Sequence, residues 1–79
     1  MSSKIRSVSY VYGNGRERPA TWGAVTYSSG KQRFINFARG ELAPQTVVSF
    51  IMGVATYEEK VMKQTGDTVI TWHRKGALL

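Results

Sequence analysis

Residues 22–38 read WGAVTYSSGKQRFINFA and hold two short runs of aromatic and β-branched side chains on either side of a turn signal. Both runs, 22–28 and 32–38, have the composition of β-strands. The intervening Ser29-Gly30-Lys31 supplies a glycine where a tight turn needs a positive φ. A connection this short joins antiparallel neighbours, so the sequence predicts a β-hairpin.

The segments on either side of the hairpin extend the predicted sheet and add a helix. Residues 5–12, IRSVSYVY, alternate in the manner of a strand, and residues 68–73, TVITWH, predict a last strand before a tail at 74–79. Residues 44–64 begin with a proline suited to a first helical turn, and their apolar side chains follow i, i+3, i+4, i+7 spacing. This spacing predicts an amphipathic helix that ends at Gly66.

The predicted order βββαβ indicates an α+β fold, a single small domain over residues 1–79 with an antiparallel-rich sheet and one helix packed on one face. Strand alternation assigns one set of side chains to each face. One set is Val8, Tyr10, Val25, Ile35, Phe37, Ile70 and Trp72, and the other is Val11, Trp22, Ala24, Phe34, Asn36, Thr71 and His73. Because one helix cannot cover two faces, we expect an open face with aromatic side chains, the kind of patch that binds a partner.

Charge is distributed unevenly along the 79 residues. The first 40 hold seven of the eleven basic residues and one of the five acidic ones, whereas the rest hold four of each, so the net charge of +6 resides in the first half. A basic surface of this kind favours a polyanion or an acidic protein surface as partner. The start of the chain lacks the apolar segment of a secretory signal, so we expect a cytoplasmic protein that does not bind a membrane.

Cofactor and metal sites are not indicated by the composition. The chain has no cysteine and one histidine, which excludes disulfides and thiolate zinc sites. We therefore expect no metal and no cofactor, with stability supplied by packing or by self-association.

Catalytic motifs are also not indicated. Glu58 and Glu59 are adjacent and point apart, and no carboxylate in the sequence pattern orients His73. The glycines at 13–15 and 29–31 are typical of turns, because neither precedes the helix that a phosphate-binding loop requires. We therefore predict that the protein is not an enzyme.

The stretch from 12 to 72 resembles the first half of the ribonuclease H-like fold. The resemblance rests on Tyr12-Gly13, on Trp22-Gly23-Ala24-Val25, on the helix from Pro44 and on the strand at 68–73, in that order. It implies a truncated scaffold, because the positions of the family's metal-binding carboxylates fall at Tyr12, near Ser49 and near Trp72. None of these residues is acidic, so the resemblance carries over no catalytic residue.

The leading hypothesis is a basic binding module that engages nucleic acid or a nucleoprotein complex through its N-terminal hairpin face. Aromatic side chains that stack on bases and cations that bind phosphates are the groups such a face needs. The candidate binding residues are Arg16, Arg18, Trp22, Lys31, Arg33, Phe34, Arg39, His73, Arg74 and Lys75.

Two alternatives remain open at this stage. Tryptophan and arginine are enriched at interface hot spots, which fits a phage- or plasmid-type inhibitor or adaptor that binds a host protein. The open sheet faces of two copies would otherwise meet in a structural homodimer.

Overall fold

A computed structural model of the chain describes residues 4–13, 20–53 and 56–74. These residues form a five-stranded antiparallel sheet, in the order β3-β2-β1-β5-β4, with one α-helix. The elements are β1 (Ile5–Tyr12), β2 (Trp22–Tyr27), β3 (Gln32–Ile35), a 3₁₀ helix (Phe37–Arg39), α1 (Gln45–Gly53), β4 (Thr56–Val61) and β5 (Thr68–His73). The predicted α+β class and the hairpin of β2 and β3 are confirmed.

The core lies between α1 and the middle of the sheet. Val8 stands opposite Val25 on one neighbouring strand and opposite Trp72 on the other. Val8 and Val25 are fully buried, and Val47 of α1 packs against them together with Ile35. The face that alternation assigned to Val8 and Val25 is therefore the one that the helix covers.

A β-bulge at Arg6 sets the phase of β1. Ile5 pairs with Tyr27 and Ser7 pairs with the adjacent Thr26. Arg6 is therefore an extra residue in β1 that has no pairing partner on β2. The extra residue turns Ile5 to the same face as Val8, where it packs against the core.

The predicted helix at 44–64 is wrong in its second half. The helix begins at Gln45, directly after Pro44, and ends at Gly53, whereas residues 56–61 form β4 along the outer edge of β5. Tyr57 and Val61 are four residues apart, and that spacing keeps two side chains on one face of a helix and equally on one face of a strand. Gly66, predicted to cap the helix, has a φ of 77° in the turn that joins β4 to β5.

The third strand is also shorter than predicted, since it ends at Ile35 rather than at residue 38. The Asn36 side chain accepts a hydrogen bond from the Arg39 N–H at 3.2 Å, which begins a 3₁₀ helix in place of further ladder pairing. Phe37 thereby turns inward and meets the ring of Tyr10 edge-on, with 5.0 Å between ring centroids.

Gly23 of β2 has no room for a side chain without movement of its neighbours. A Cβ added there would lie 3.1 Å from the Phe37 ring, the Tyr10 ring and the backbone oxygen of Ser9. We expect Gly23→Ala to lower the free energy of unfolding by about 1–3 kcal/mol, measured by urea denaturation, because the backbone oxygen cannot move aside without disturbing β1.

The matched control is Gly53→Ala at the end of α1, where nothing lies within 4 Å of an added Cβ. This change should leave stability unaltered or raise it by up to about 1 kcal/mol. Equal effects of the two substitutions would contradict the close approach at Gly23.

Tyr10 links the ionisation of a phenol to folding. Burial, and secondarily the nearby Tyr12, raises the pKa of Tyr10 above its ordinary value of 10.0. The neutral phenol is therefore favoured in the folded state, and the resulting stabilisation is present below pH 10.0 and lost as pH rises further. Relative to Tyr10→Phe, the wild type should lose free energy of unfolding as pH rises through this window, and parallel curves for the two proteins would contradict the linkage.

Candidate functional site

The face of the sheet opposite α1, called here the open face, is mainly polar in its middle. Ser9 and Thr71 stand opposite each other on β1 and β5, and their hydroxyl oxygens are 2.9 Å apart in a hydrogen bond. Thr26 of β2, which stands opposite Ser7, accepts a hydrogen bond from the Gln32 amide at 3.3 Å. These bonds connect polar side chains of neighbouring strands across the open face.

Two large aromatic side chains stand together at one side of the open face. Trp22 is 43% exposed and Phe34 is 63% exposed, and their ring centroids are 6.1 Å apart with 49° between the ring planes. They meet because Phe34 is opposite Ala24, the next residue on the same face of β2 after Trp22. We call Trp22 and Phe34 the aromatic pair, and it confirms the expectation that the uncovered face keeps aromatic side chains.

A groove of about 460 Å³ runs from the aromatic pair across the open face. Val11 and Val69, which face each other across β1 and β5, lie between the aromatic pair and the far side of the groove. That far side is formed by Met62, Thr65 and Asp67 of the β4–β5 turn. The lining of the groove thus combines two valines, the two rings of the aromatic pair and the carboxylate of Asp67.

Three cations follow the outer edge of the sheet beside the aromatic pair. Lys31 precedes β3, Arg33 lies within it and Arg39 ends the 3₁₀ helix that follows; all three are exposed. We call these residues the β3 edge. None of the three side chains forms a salt bridge or a hydrogen bond with another described residue. Within the described chain, these three charges are therefore unpaired.

The carboxylate nearest to the β3 edge in sequence is already in use. Glu41 Oε1 accepts a hydrogen bond from the Asn36 N–H at 2.6 Å, so it serves the turn after β3. The other described acids, Glu58, Glu59 and Asp67, belong to β4 and the β4–β5 turn on the opposite side of the sheet. The sheet is thus basic at one edge and mixed in charge at the other.

His73 lies on the open face but apart from the aromatic pair. It is two strands and four residue positions from Trp22, roughly 17 Å at about 3.4 Å per residue and about 4.8 Å per strand. Its Nε2 is 2.9 Å from Glu58 Oε1. The sequence showed no carboxylate beside His73, because Glu58 was assigned to a helix and only strand pairing brings the two together.

Arg74 has a structural role at the bulge of β1. Its Nε and one terminal nitrogen both donate to the Ile5 carbonyl, the former at 3.0 Å. Its guanidinium also lies 5.9 Å from the centre of the Phe50 ring of α1. Arg74 thus ties β1 to the helix, unlike the cations of the β3 edge.

Three of the candidate binding residues, Arg16, Arg18 and Lys75, lie outside the described residues. The groove residues Met62, Thr65 and Asp67 were not among the sequence candidates. No short-range pattern marks them, because they reach the open face only through the β4–β5 turn.

In comparisons with known proteins, no family model, no curated protein and no solved structure matches this chain. Among the residues that the structure describes, no helix is long and apolar enough to cross a membrane. The same residues contain no group of three or more histidine, cysteine or acidic side chains placed to hold a metal ion.

The different roles of Arg74 and Arg33 can be measured as stability. We expect Arg74→Ala to lower the free energy of unfolding by about 1 kcal/mol, because charge-assisted hydrogen bonds to the Ile5 carbonyl are lost at a partly solvated site. Arg33→Ala, at an exposed position without a partner in the described chain, should stay within about 0.5 kcal/mol of wild type. Urea denaturation of both variants tests this, and a larger loss for Arg33→Ala would contradict the assignment.

Proposed function

We propose that this protein binds single-stranded nucleic acid, with bases on the aromatic pair and phosphates along the β3 edge. The observation that carries the proposal is that two exposed aromatic rings lie beside three exposed cations without partners among the described residues. We propose a binding role without catalysis.

The aromatic pair supplies the surface for bases. Both rings are exposed on the open face, and they are tilted rather than stacked on each other, so their faces are not used up by mutual contact. Stacking of a base on an aromatic side chain is worth about 1–3 kcal/mol per base and needs no particular sequence. The adjoining Val69 extends this apolar surface into the groove, which the buried Val11 also lines.

The β3 edge supplies the surface for phosphates. Lys31 and Arg33 are two residues apart, about 7 Å along an extended backbone, and Arg39 ends the 3₁₀ helix that follows the strand. Arg33 stands opposite Val25, on the α1 side of the edge strand, whereas Phe34 points to the open face. A strand laid along the edge would therefore place its backbone against the cations while its bases turn onto the rings.

Single strands fit this surface better than duplexes. Stacking on a side chain requires a base whose face is free, and bases inside a duplex are already stacked on their neighbours. The three cations also belong to a single edge of the sheet, whereas a duplex presents two backbones.

The test is a titration of labelled single-stranded RNA, single-stranded DNA and duplex DNA at two salt concentrations. We expect single strands to bind more tightly than the duplex and to quench tryptophan fluorescence. The log–log salt slope should be roughly −2 or steeper, from about −0.7 for each of three phosphates contacted. No binding at moderate salt would contradict the proposal and would leave a protein partner as the explanation of the aromatic pair.

Two variants separate stacking from charge. Phe34→Ala should weaken binding by about 1–3 kcal/mol and leave the salt slope unchanged, because it removes a ring and no charge. Arg33→Ala should reduce the slope by about 0.7. Lys63→Ala, a cation of the β4–β5 turn, is the matched control and should change neither quantity; an effect equal to that of Arg33→Ala would mean that the β3 edge is not the phosphate site.

A further inference from the structure

We infer that the groove on the open face holds one base of the bound strand, and that Asp67 makes guanine the preferred base. The Asp67 carboxylate accepts hydrogen bonds from the two donors on the Watson–Crick edge of guanine while the ring of the base lies against the aromatic pair. This inference rests on the proposed function, because it assigns a base preference to the surface proposed to bind single strands.

Asp67 lies at the end of the groove opposite the aromatic pair. Trp22 and Val69 stand on either side of Val11 in one row across three strands, and Asp67 comes two residues before Val69. Two strand spacings of about 4.8 Å and two residue positions of about 3.4 Å place the Cα atoms of Trp22 and Asp67 roughly 12 Å apart. This interval leaves room for one base between the indole ring and the carboxylate.

The β4–β5 turn holds the backbone of Asp67 and leaves its carboxylate without a partner in the described chain. The Met62 N–H donates to the Asp67 carbonyl at 2.7 Å, and the Asp67 N–H donates to the Thr65 hydroxyl oxygen at 3.3 Å. Asp67 is half-buried, and its carboxylate forms no salt bridge or hydrogen bond with another residue that the structure describes. A partly desolvated carboxylate is stabilised by a ligand that brings hydrogen-bond donors.

Guanine is the base whose donors match a single carboxylate. An ionised carboxylate only accepts hydrogen bonds, and its two oxygens lie side by side. The Watson–Crick edge of guanine carries two adjacent donors, the N1–H and the 2-amino group, so both oxygens are satisfied at once. Adenine and cytosine present one amino group beside an acceptor nitrogen, and uracil presents one N–H between two carbonyls. Each of these bases therefore places an acceptor against the carboxylate.

The direction of the bound strand brings the Watson–Crick edge to Asp67. In the proposed arrangement the phosphates lie along the β3 edge, and the groove crosses the sheet from the aromatic pair toward β5. The Watson–Crick edge is the edge of a base farthest from its sugar, and single-stranded bases are free to be recognised there. A base stacked on Trp22 thus turns this edge toward Asp67, and the carboxylate contacts the base at a distance from the phosphates.

A cationic side chain of a protein partner is the other group that suits a carboxylate beside aromatic rings. The charge of the chain disfavours this occupant. The net charge is +6, and the cations of the β3 edge adjoin the aromatic pair, so an approaching basic segment is repelled. A guanine nucleotide suits both signs of charge, because its phosphate is anionic and its base donates hydrogen bonds.

The experiment is a titration of the full chain with labelled oligouridines of equal length that carry one central guanine, inosine, adenine or cytosine, or uracil throughout. Inosine differs from guanosine only by lacking the 2-amino group. We expect the guanine oligomer to bind about tenfold more tightly than the uracil oligomer, with inosine between the two, as a bidentate base contact provides. Asp67→Asn should abolish this preference, because an amide has one acceptor oxygen and its amino group faces a donor of guanine.

Glu58→Gln is the matched control. It removes one negative charge from the open face, but Glu58 contacts His73 and is not part of the groove lining. We expect this variant to change the affinity for all oligomers by one common factor and to keep the guanine preference. Circular dichroism checks that both variants have the fold of the wild type.

Three results would overturn the inference, and they separate it from the proposed function. Equal affinity of the wild type for all oligomers overturns the guanine preference and leaves single-strand binding intact. A uniform gain of affinity in Asp67→Asn, equal to that in Glu58→Gln, would mean that Asp67 acts only as a negative charge. Absence of binding to every oligomer contradicts the proposed function as well, and leaves a cationic protein segment as the occupant of the groove.

Discussion

The placement of β1 at the centre of the sheet is the constraint on which the rest of the structure depends. Val8 is fully buried because β2 and β5 bring Val25 and Trp72 to either side of it, and α1 then covers that row. The bulge at Arg6 adds Ile5 to the same face, and the Ile5 carbonyl accepts a hydrogen bond from the Arg74 side chain. A small core of this kind can bury one side of a sheet only, so the other side faces solvent.

Much of this arrangement was predictable from alternation and turn chemistry. The strands at 5–12 and 68–73, the hairpin around Gly30 and the two faces follow from local pattern. The strand at 56–61 does not, because Tyr57 and Val61 fit a helix and a strand equally well, and only the free edge of β5 decides between the two. That pairing joins residues that are distant in sequence, so the periodicity within a short segment cannot predict it.

The candidate site shows the same division. Trp22 and Phe34 could be placed on one face from their positions in the hairpin, and their contact at 6.1 Å agrees with that placement. Their separation from His73 depends on register across β1 and β5, and the Glu58 partner of His73 depends on the unpredicted β4. Arg74 and Arg33 are both exposed arginines in the sequence pattern, and only the bulge distinguishes a structural cation from an available one.

The two edges of the sheet have different chemistry, and the strand order keeps them apart. The β3 edge is basic and lies beside aromatic rings, whereas β4 carries both signs of charge. Four strand spacings separate them, roughly 19 Å at about 4.8 Å each. The strand order therefore keeps the carboxylates Glu58 and Glu59 away from the edge proposed to bind phosphates.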